Sequence, residues 1–200
     1  MLPLPKAPGE KSVYLADHQY PLPQFKIDRA EKVKLTGKFQ QIWQAINKGK
    51  DWREHVLKPA ILTLDPGETT GVCWKDFNSD ELWLMQWETK DIGLSFKQLL
   101  DFLERYEPFH VRYEDYKVYA WKAQDHSNAS LHTPQWIGAI RAALCLADIP
   151  YSFKMAQQPK GWFTDDKLKM FDMYEAGMRH ARDAERHMLF YMCFPDKKDD

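Results

Sequence analysis

Cysteine is scarce in this chain: Cys73, Cys145 and Cys193 are its only three, they stand far apart, and no two form a CxxC pair. That number and spacing suggest neither a disulfide framework nor a zinc knuckle, and a reducing compartment fits. No apolar run approaches the roughly 18 to 20 residues that a membrane-spanning helix needs. The proline-broken start MLPLPKAPGE has no apolar stretch of the kind a secretory leader carries, so a cytoplasmic protein with no membrane partner is expected. A large excess of charge of either sign is missing too, the net formal charge being -1. That balance hides an asymmetry, because residues 1–58 hold 11 Lys or Arg against 6 Asp or Glu, and residues 59–200 hold 17 against 23. A basic arm precedes an acidic body.

With 44% apolar and 28% charged residues over 200 positions, the composition is that of one globular domain with an appended arm. Five of the twelve prolines fall in the first 23 residues, and proline fixes φ and removes a donor, so an extended tail is expected there. From Glu31 to Asn47 the residues Leu35, Phe39, Ile42, Trp43 and Ile46 recur at helical spacing with Lys32, Lys34, Lys38 and Lys48 near the other side, which predicts a basic amphipathic helix. The resulting division is 1–58 for tail and helix, 59–195 for the folded body and 196–200 for a charged tail.

Ala60 to Leu64 is a short apolar run that reads as a buried strand ending in Asp65-Pro66-Gly67. Thr70 to Lys75 and Leu82 to Glu88 read as a hairpin. A helix through Phe96, Leu99, Leu103 and Tyr106 follows, then a strand from Phe109 to Glu114 and a polar, aromatic loop. Thr133 and Pro134 are placed to start a helix that runs to about Ala147. Tyr151 to Met155 reads as a fifth strand, and helices are predicted over Asp165 to Tyr174, with Thr164 as cap, and over Met178 to Cys193. The expected fold is a mixed five-stranded α/β sheet, an antiparallel hairpin joined to parallel strands, flanked by helices.

The chemistry gathers at strand ends, where open α/β sheets bind ligands. Asp65 closes the first body strand and Glu114 the fourth, while His180 and Asp183, three apart, share one face of the last helix. Carboxylates held about 4 Å apart repel by about 4 kcal/mol at an effective dielectric near 20, and divalent cations remove that cost. Oxygen ligands suit Mg²⁺ or Mn²⁺. Two such ions about 3.5 to 4 Å apart serve in-line displacement at a phosphodiester.

LTLDPGETTGVCW, VRYEDY and RHARDAERHM together resemble the three motifs of the RuvC-like Holliday junction resolvases, which have the RNase H-like fold, and the phage-encoded branch in particular. The resemblance covers residues 60–193. It implies that Asp65, Glu114, His180 and Asp183 are the catalytic and metal-holding residues, with His180 and Asp183 matching the His and Asp form of the final pair. It also implies a homodimer that nicks four-way and other branched DNA, leaving 5′-phosphate and 3′-hydroxyl ends. A neutral His180 is needed as ligand or base, so activity is expected to fall toward acid pH.

Tyr116, Lys117, Tyr119, Trp121 and Lys122 interleave rings with cations, as a surface that stacks on unpaired bases and grips phosphate would; packing of the loop onto the body is the plain alternative. Lys154, Lys160 and Lys167 follow the fifth strand in the region where the family contacts the scissile phosphates. The small residues Gly138, Ala139, Ala142 and Ala143 suit close approach of a second helix, at a dimer contact or against the sheet. DPGETTG also resembles the first phosphate loop of actin-like ATPases and sugar kinases, but roughly 140 residues of body leave no space for the second domain those proteins need. A branched-DNA binder without turnover is the remaining alternative.

Overall fold

The computed structural model describes residues 27–35, 37–46, 60–76, 81–116 and 131–195. The proline-rich tail, the loop from Lys117 to Ser130 and the charged C-terminal tail lie outside these residues. The elements in chain order are β1 (Ile27–Lys34), α1 (Gly37–Ile46), β2 (Ala60–Asp65), β3 (Thr69–Asp76), β4 (Glu81–Glu88), α2 (Ile92–Tyr106), β5 (His110–Glu114), α3 (His132–Leu146), β6 (Tyr151–Lys154), α4 (Gln157–Trp162), α5 (Asp165–Met170) and α6 (Arg179–Cys193). No helix among them is long and apolar enough to cross a membrane.

The mixed sheet flanked by helices is as expected, with six strands instead of five, in the order β1-β4-β3-β2-β5-β6. The added strand comes from the basic segment read as one helix. Residues 31–34 are extended, and β1 pairs antiparallel with β4, Val33 opposite Leu82. Lys32 and Lys34 face out while Val33 and Leu35 are buried, a period of two that the helical reading overlooked. The helix itself begins at Gly37. Its predicted stripe packs inward, Phe39 and Trp43 being buried, and the Trp43 indole donates to the Met192 carbonyl at 2.6 Å.

Strand β2 is the centre of the sheet, antiparallel to β3 and parallel to β5. Its run AILTLD is buried throughout because both faces are covered. Leu62 and Leu64 join Trp74, Trp87, Val111 and Tyr113 under α2 and α3. Ile61 faces the other way, with Cys73 and Leu84, against Ala181, Ala184, Met188 and Leu189 of α6. Thr63 is the polar exception on that face, and its hydroxyl donates to the Ala184 carbonyl at 2.7 Å.

Two helix ends and one whole helix differ from expectation. The helix α3 starts at His132, and no side chain caps it; His132 Nε2 lies 2.8 Å from the Thr89 carbonyl, so a tertiary contact anchors the end that Thr133 was expected to cap. Thr164 does cap α5, accepting from the Lys167 amide, but that helix ends at Met170, and Asp172 takes a left-handed φ of 59°. The six-residue α4 has too little periodicity to be read from sequence.

Two local features shape the chain just beyond β2. Thr70 Oγ1 receives the Trp136 indole at 2.8 Å and lies 2.8 Å from Thr89 Oγ1, and both threonine hydroxyls donate to the Gly67 carbonyl. The turn after Asp65 is thereby tied to α3. Gly71, opposite Asp65 in the register, lets the start of α6 lie directly on β3, since a β-carbon there would overlap the His180 carbonyl. Gly71→Ala is therefore expected to push α6 off the strand and cost about 1 to 3 kcal/mol of stability in urea unfolding. Unchanged stability would show that this close approach is not needed.

Candidate active site

Because β2 and β5 are parallel neighbours, with Leu64 beside Tyr113, their last residues Asp65 and Glu114 emerge side by side at one end of the sheet. The first two turns of α6 cross above them and bring His180 and Asp183. His180 Nδ1 stands 3.0 Å from Asp65 Oδ2. Lys160 of α4 reaches between the others, its ammonium 3.0 Å from Asp183 Oδ2 and 3.4 Å from Glu114 Oε2. The four residues expected to converge are thus together, with Lys160 among them.

Two partners of the cluster were missed. The buried His187 places Nε2 3.3 Å from Glu114 Oε2. Arg186 donates to Asp183 and to Asp165, and to the Phe163 carbonyl at 2.8 Å, so it holds Asp183 in orientation against α5. The signal was present in the sequence: His180, Asp183 and His187 are spaced i, i+3, i+7, one stripe of a helix.

The electrostatics follow from this crowding. Burial raises the Asp65 carboxyl above its ordinary value; the His180 hydrogen bond opposes this, and repulsion from Glu114 and Asp183 adds to it. Glu114 is held below its ordinary value, because the hydrogen bond from His187 and the Lys160 charge outweigh its burial. Burial would lower the Lys160 ammonium, but Glu114 and Asp183 overcome it and raise the group. His180 is raised, first by its hydrogen bond to Asp65 and against partial burial.

Of the other expected contacts, Lys154 ends β6 beside Glu114 in the register, and Tyr116 is exposed two residues past Glu114. Lys167 points elsewhere, its ammonium donating to the Trp162 carbonyl at 2.6 Å. Lys117, Tyr119, Trp121 and Lys122 lie outside the described residues.

Three carboxylates and an imidazole are a donor set that suits a hard divalent cation. Among the described residues, no three Asp, Glu, His or Cys side chains already enclose a point where an ion could sit. The cation between Glu114 and Asp183 is the Lys160 ammonium, so the donor chemistry fits a metal once that ammonium moves aside.

The mixed sheet with helices on both faces is a RuvC-like fold. The chain is similar to RuvC of T. thermophilus in complex with a Holliday junction substrate, at 18% identity over 68% of this chain and 94% of that one, with a TM-score of 0.52. A second Thermus thermophilus RuvC structure matches with the same identity and coverage and a TM-score of 0.47. No family model and no curated protein sequence matches the chain.

The raised value of His180 has a direct consequence for the metal-free protein. A protonated His180 stabilises the fold fully below the ordinary histidine value near 6.5, and that contribution fades as pH rises through the higher folded value. His180→Asn should therefore lower the melting temperature in EDTA most at about pH 6 and progressively less as the pH rises past neutrality. A difference that grows with pH would contradict the His180–Asp65 pairing.

Proposed function

We propose that the chain is a metal-dependent endonuclease that nicks branched DNA, four-way junctions above all, with a place in DNA recombination and repair. The observation that carries this reading is the meeting of Asp65, Glu114, His180 and Asp183 at the ends of two adjacent parallel strands in a RuvC-like fold. Asp65, Glu114 and Asp183 would hold Mg²⁺, with Mn²⁺ able to substitute and two ions per site, and His180 would serve as ligand or proton carrier. Bound divalent ions supply the charge that makes a water nucleophilic near neutral pH and offsets the leaving oxygen of an in-line displacement.

The chain's own groups do the rest. Arg186 fixes the Asp183 carboxylate, and His187 fixes that of Glu114, so two of the donors are oriented before any substrate arrives. Lys160, freed from the carboxylates, is within reach of a phosphate at the same place, which joins the expected phosphate contact to the observed ion pair. Lys154 and Lys167, with Tyr116 and the loop residues Lys117, Tyr119, Trp121 and Lys122, would extend the grip along the DNA. The products are a 5′-phosphate and a 3′-hydroxyl, and a homodimer packed through α3 would cut the two symmetric strands in the cytoplasm. His180 is active when neutral, so activity is expected to fall toward acid pH as the imidazole takes up a proton.

Purified protein incubated with a labelled immobile four-way junction, a fork and a linear duplex, with and without Mg²⁺ and without nucleotide, tests this. Junction nicking that needs Mg²⁺ is expected. Partners that merely orient metal ligands cost about 10- to 100-fold when lost, so removing a ligand in Asp65→Asn should slow cutting by at least about a hundredfold while junction binding survives. Binding without cutting under any metal would leave a branched-DNA binder, and cutting by Asp65→Asn at the unmodified rate would overturn the assigned site.

A further inference from the structure

The helix α4 has two functional sides. Lys160 points to the acidic cluster, and two residues later Trp162 points away from it. Trp162 is 49% exposed, unusual for so large an apolar side chain in a structure that buries Trp43, Trp74, Trp83, Trp87 and Trp136. Its ring meets Phe194 at a centroid distance of 4.7 Å and carries the Lys167 ammonium 5.7 Å from its centroid. Beside it lies an open depression of about 520 Å³ lined by Gln157, Gln158, Gly161, Trp162, Lys167 and Phe190, wide enough to admit a nucleobase.

We infer that this pocket receives a single unpaired nucleobase of the DNA strand whose phosphate lies at the acidic cluster, stacked on Trp162, with Lys167 on the adjoining phosphate. This rests on the nuclease reading above and names the part of the substrate that α4 recognises. The lining argues for a base over an apolar peptide, because it combines an aromatic face with amides that both donate and accept and with a cation. Lys167 uses one of its three donors on the Trp162 carbonyl, which pins the charge at the rim of the ring and leaves two for phosphate oxygens. The pocket lies across α4 from the cluster, and a helix is about 10 Å wide, so the base belongs to a nucleotide about one or two steps from the phosphate that is cut. Such a base is available where strands exchange and is paired in linear duplex, so the pocket selects for branch points.

The test places 2-aminopurine singly at successive positions on either side of the nicked phosphate of a four-way junction and records its fluorescence on binding in EDTA, alongside cutting in Mg²⁺. Two variants remove the pocket differently. Trp162→Ala takes away the ring, and Gly161→Leu sets a branched side chain into the depression, where a β-carbon at Gly161 meets nothing within 4 Å. Trp162→Phe keeps a stacking face. The unmodified protein should quench the probe at one position; Trp162→Ala and Gly161→Leu should abolish that quenching and slow junction cutting by about fivefold or more, and Trp162→Phe should restore most of both. Absence of position-specific quenching, or quenching and cutting by both variants equal to the unmodified protein, would overturn the pocket while leaving the nuclease reading intact. Quenching that depends on Trp162 in a protein that cuts nothing would instead uphold the pocket and defeat the nuclease.

Discussion

Three carboxylates forced together at the end of a sheet govern the rest of this molecule. Parallel pairing of β2 with β5 sets Asp65 next to Glu114, and α6 adds Asp183. Like charges at close range repel, by about 4 kcal/mol at 4 Å and an effective dielectric near 20, and Glu114 and Asp183 both act on Asp65 in this sense. The chain answers with counter-charges: the Lys160 ammonium from α4, and from α6 itself Arg186 and, when protonated, His180. The fold around the cluster is organised to deliver them. Gly71 lets α6 lie on the sheet, Thr63 ties its second turn to β2, and the Thr70, Thr89 and Trp136 contacts hold the turn that comes after Asp65.

The counter-charges are not equivalent. Arg186 is buried and bonded on three sides, so it is a fixed part of the scaffold. Lys160 sits on a six-residue helix, with its side chain 39% exposed, and an ammonium on a flexible stem can leave. In the proposed reaction a divalent ion would take over the counter-charge that Lys160 supplies to Glu114 and Asp183 in the resting protein, and the ammonium would then be free to meet a phosphate. Folding and the proposed catalysis would then meet the same electrostatic demand with different cations.

How much of this was legible in the sequence depends on whether a feature is local. The buried run of β2, the hairpin and the helical stripe of α6 carry their periods in the chain, and with them Asp65, Glu114, His180 and Asp183 were legible as a converging set. β1 was not, because Leu35 belongs to both an alternating and a helical pattern, and only pairing with β4 decides between them. α4 was hidden by its shortness, so Lys160 was read as a phosphate contact with no sign of its carboxylate partners. The start of α3 went to a tertiary bond from His132, which no local capping rule anticipates. His187 was visible as spacing but not as function, since its partner Glu114 is remote in sequence, and of the partners of Arg186 only Asp183 is local, Asp165 and Phe163 lying 21 and 23 residues away.

The central claim, that Asp65, Glu114 and Asp183 form one divalent-cation site held in readiness by Lys160, is tested most directly by a crystal structure of the protein soaked in Mn²⁺ and measured for anomalous scattering. The account predicts anomalous peaks among these three carboxylates and a Lys160 ammonium moved off Glu114 and Asp183. Lys160 still bridging the two carboxylates at saturating Mn²⁺, with no peak between them, would contradict it.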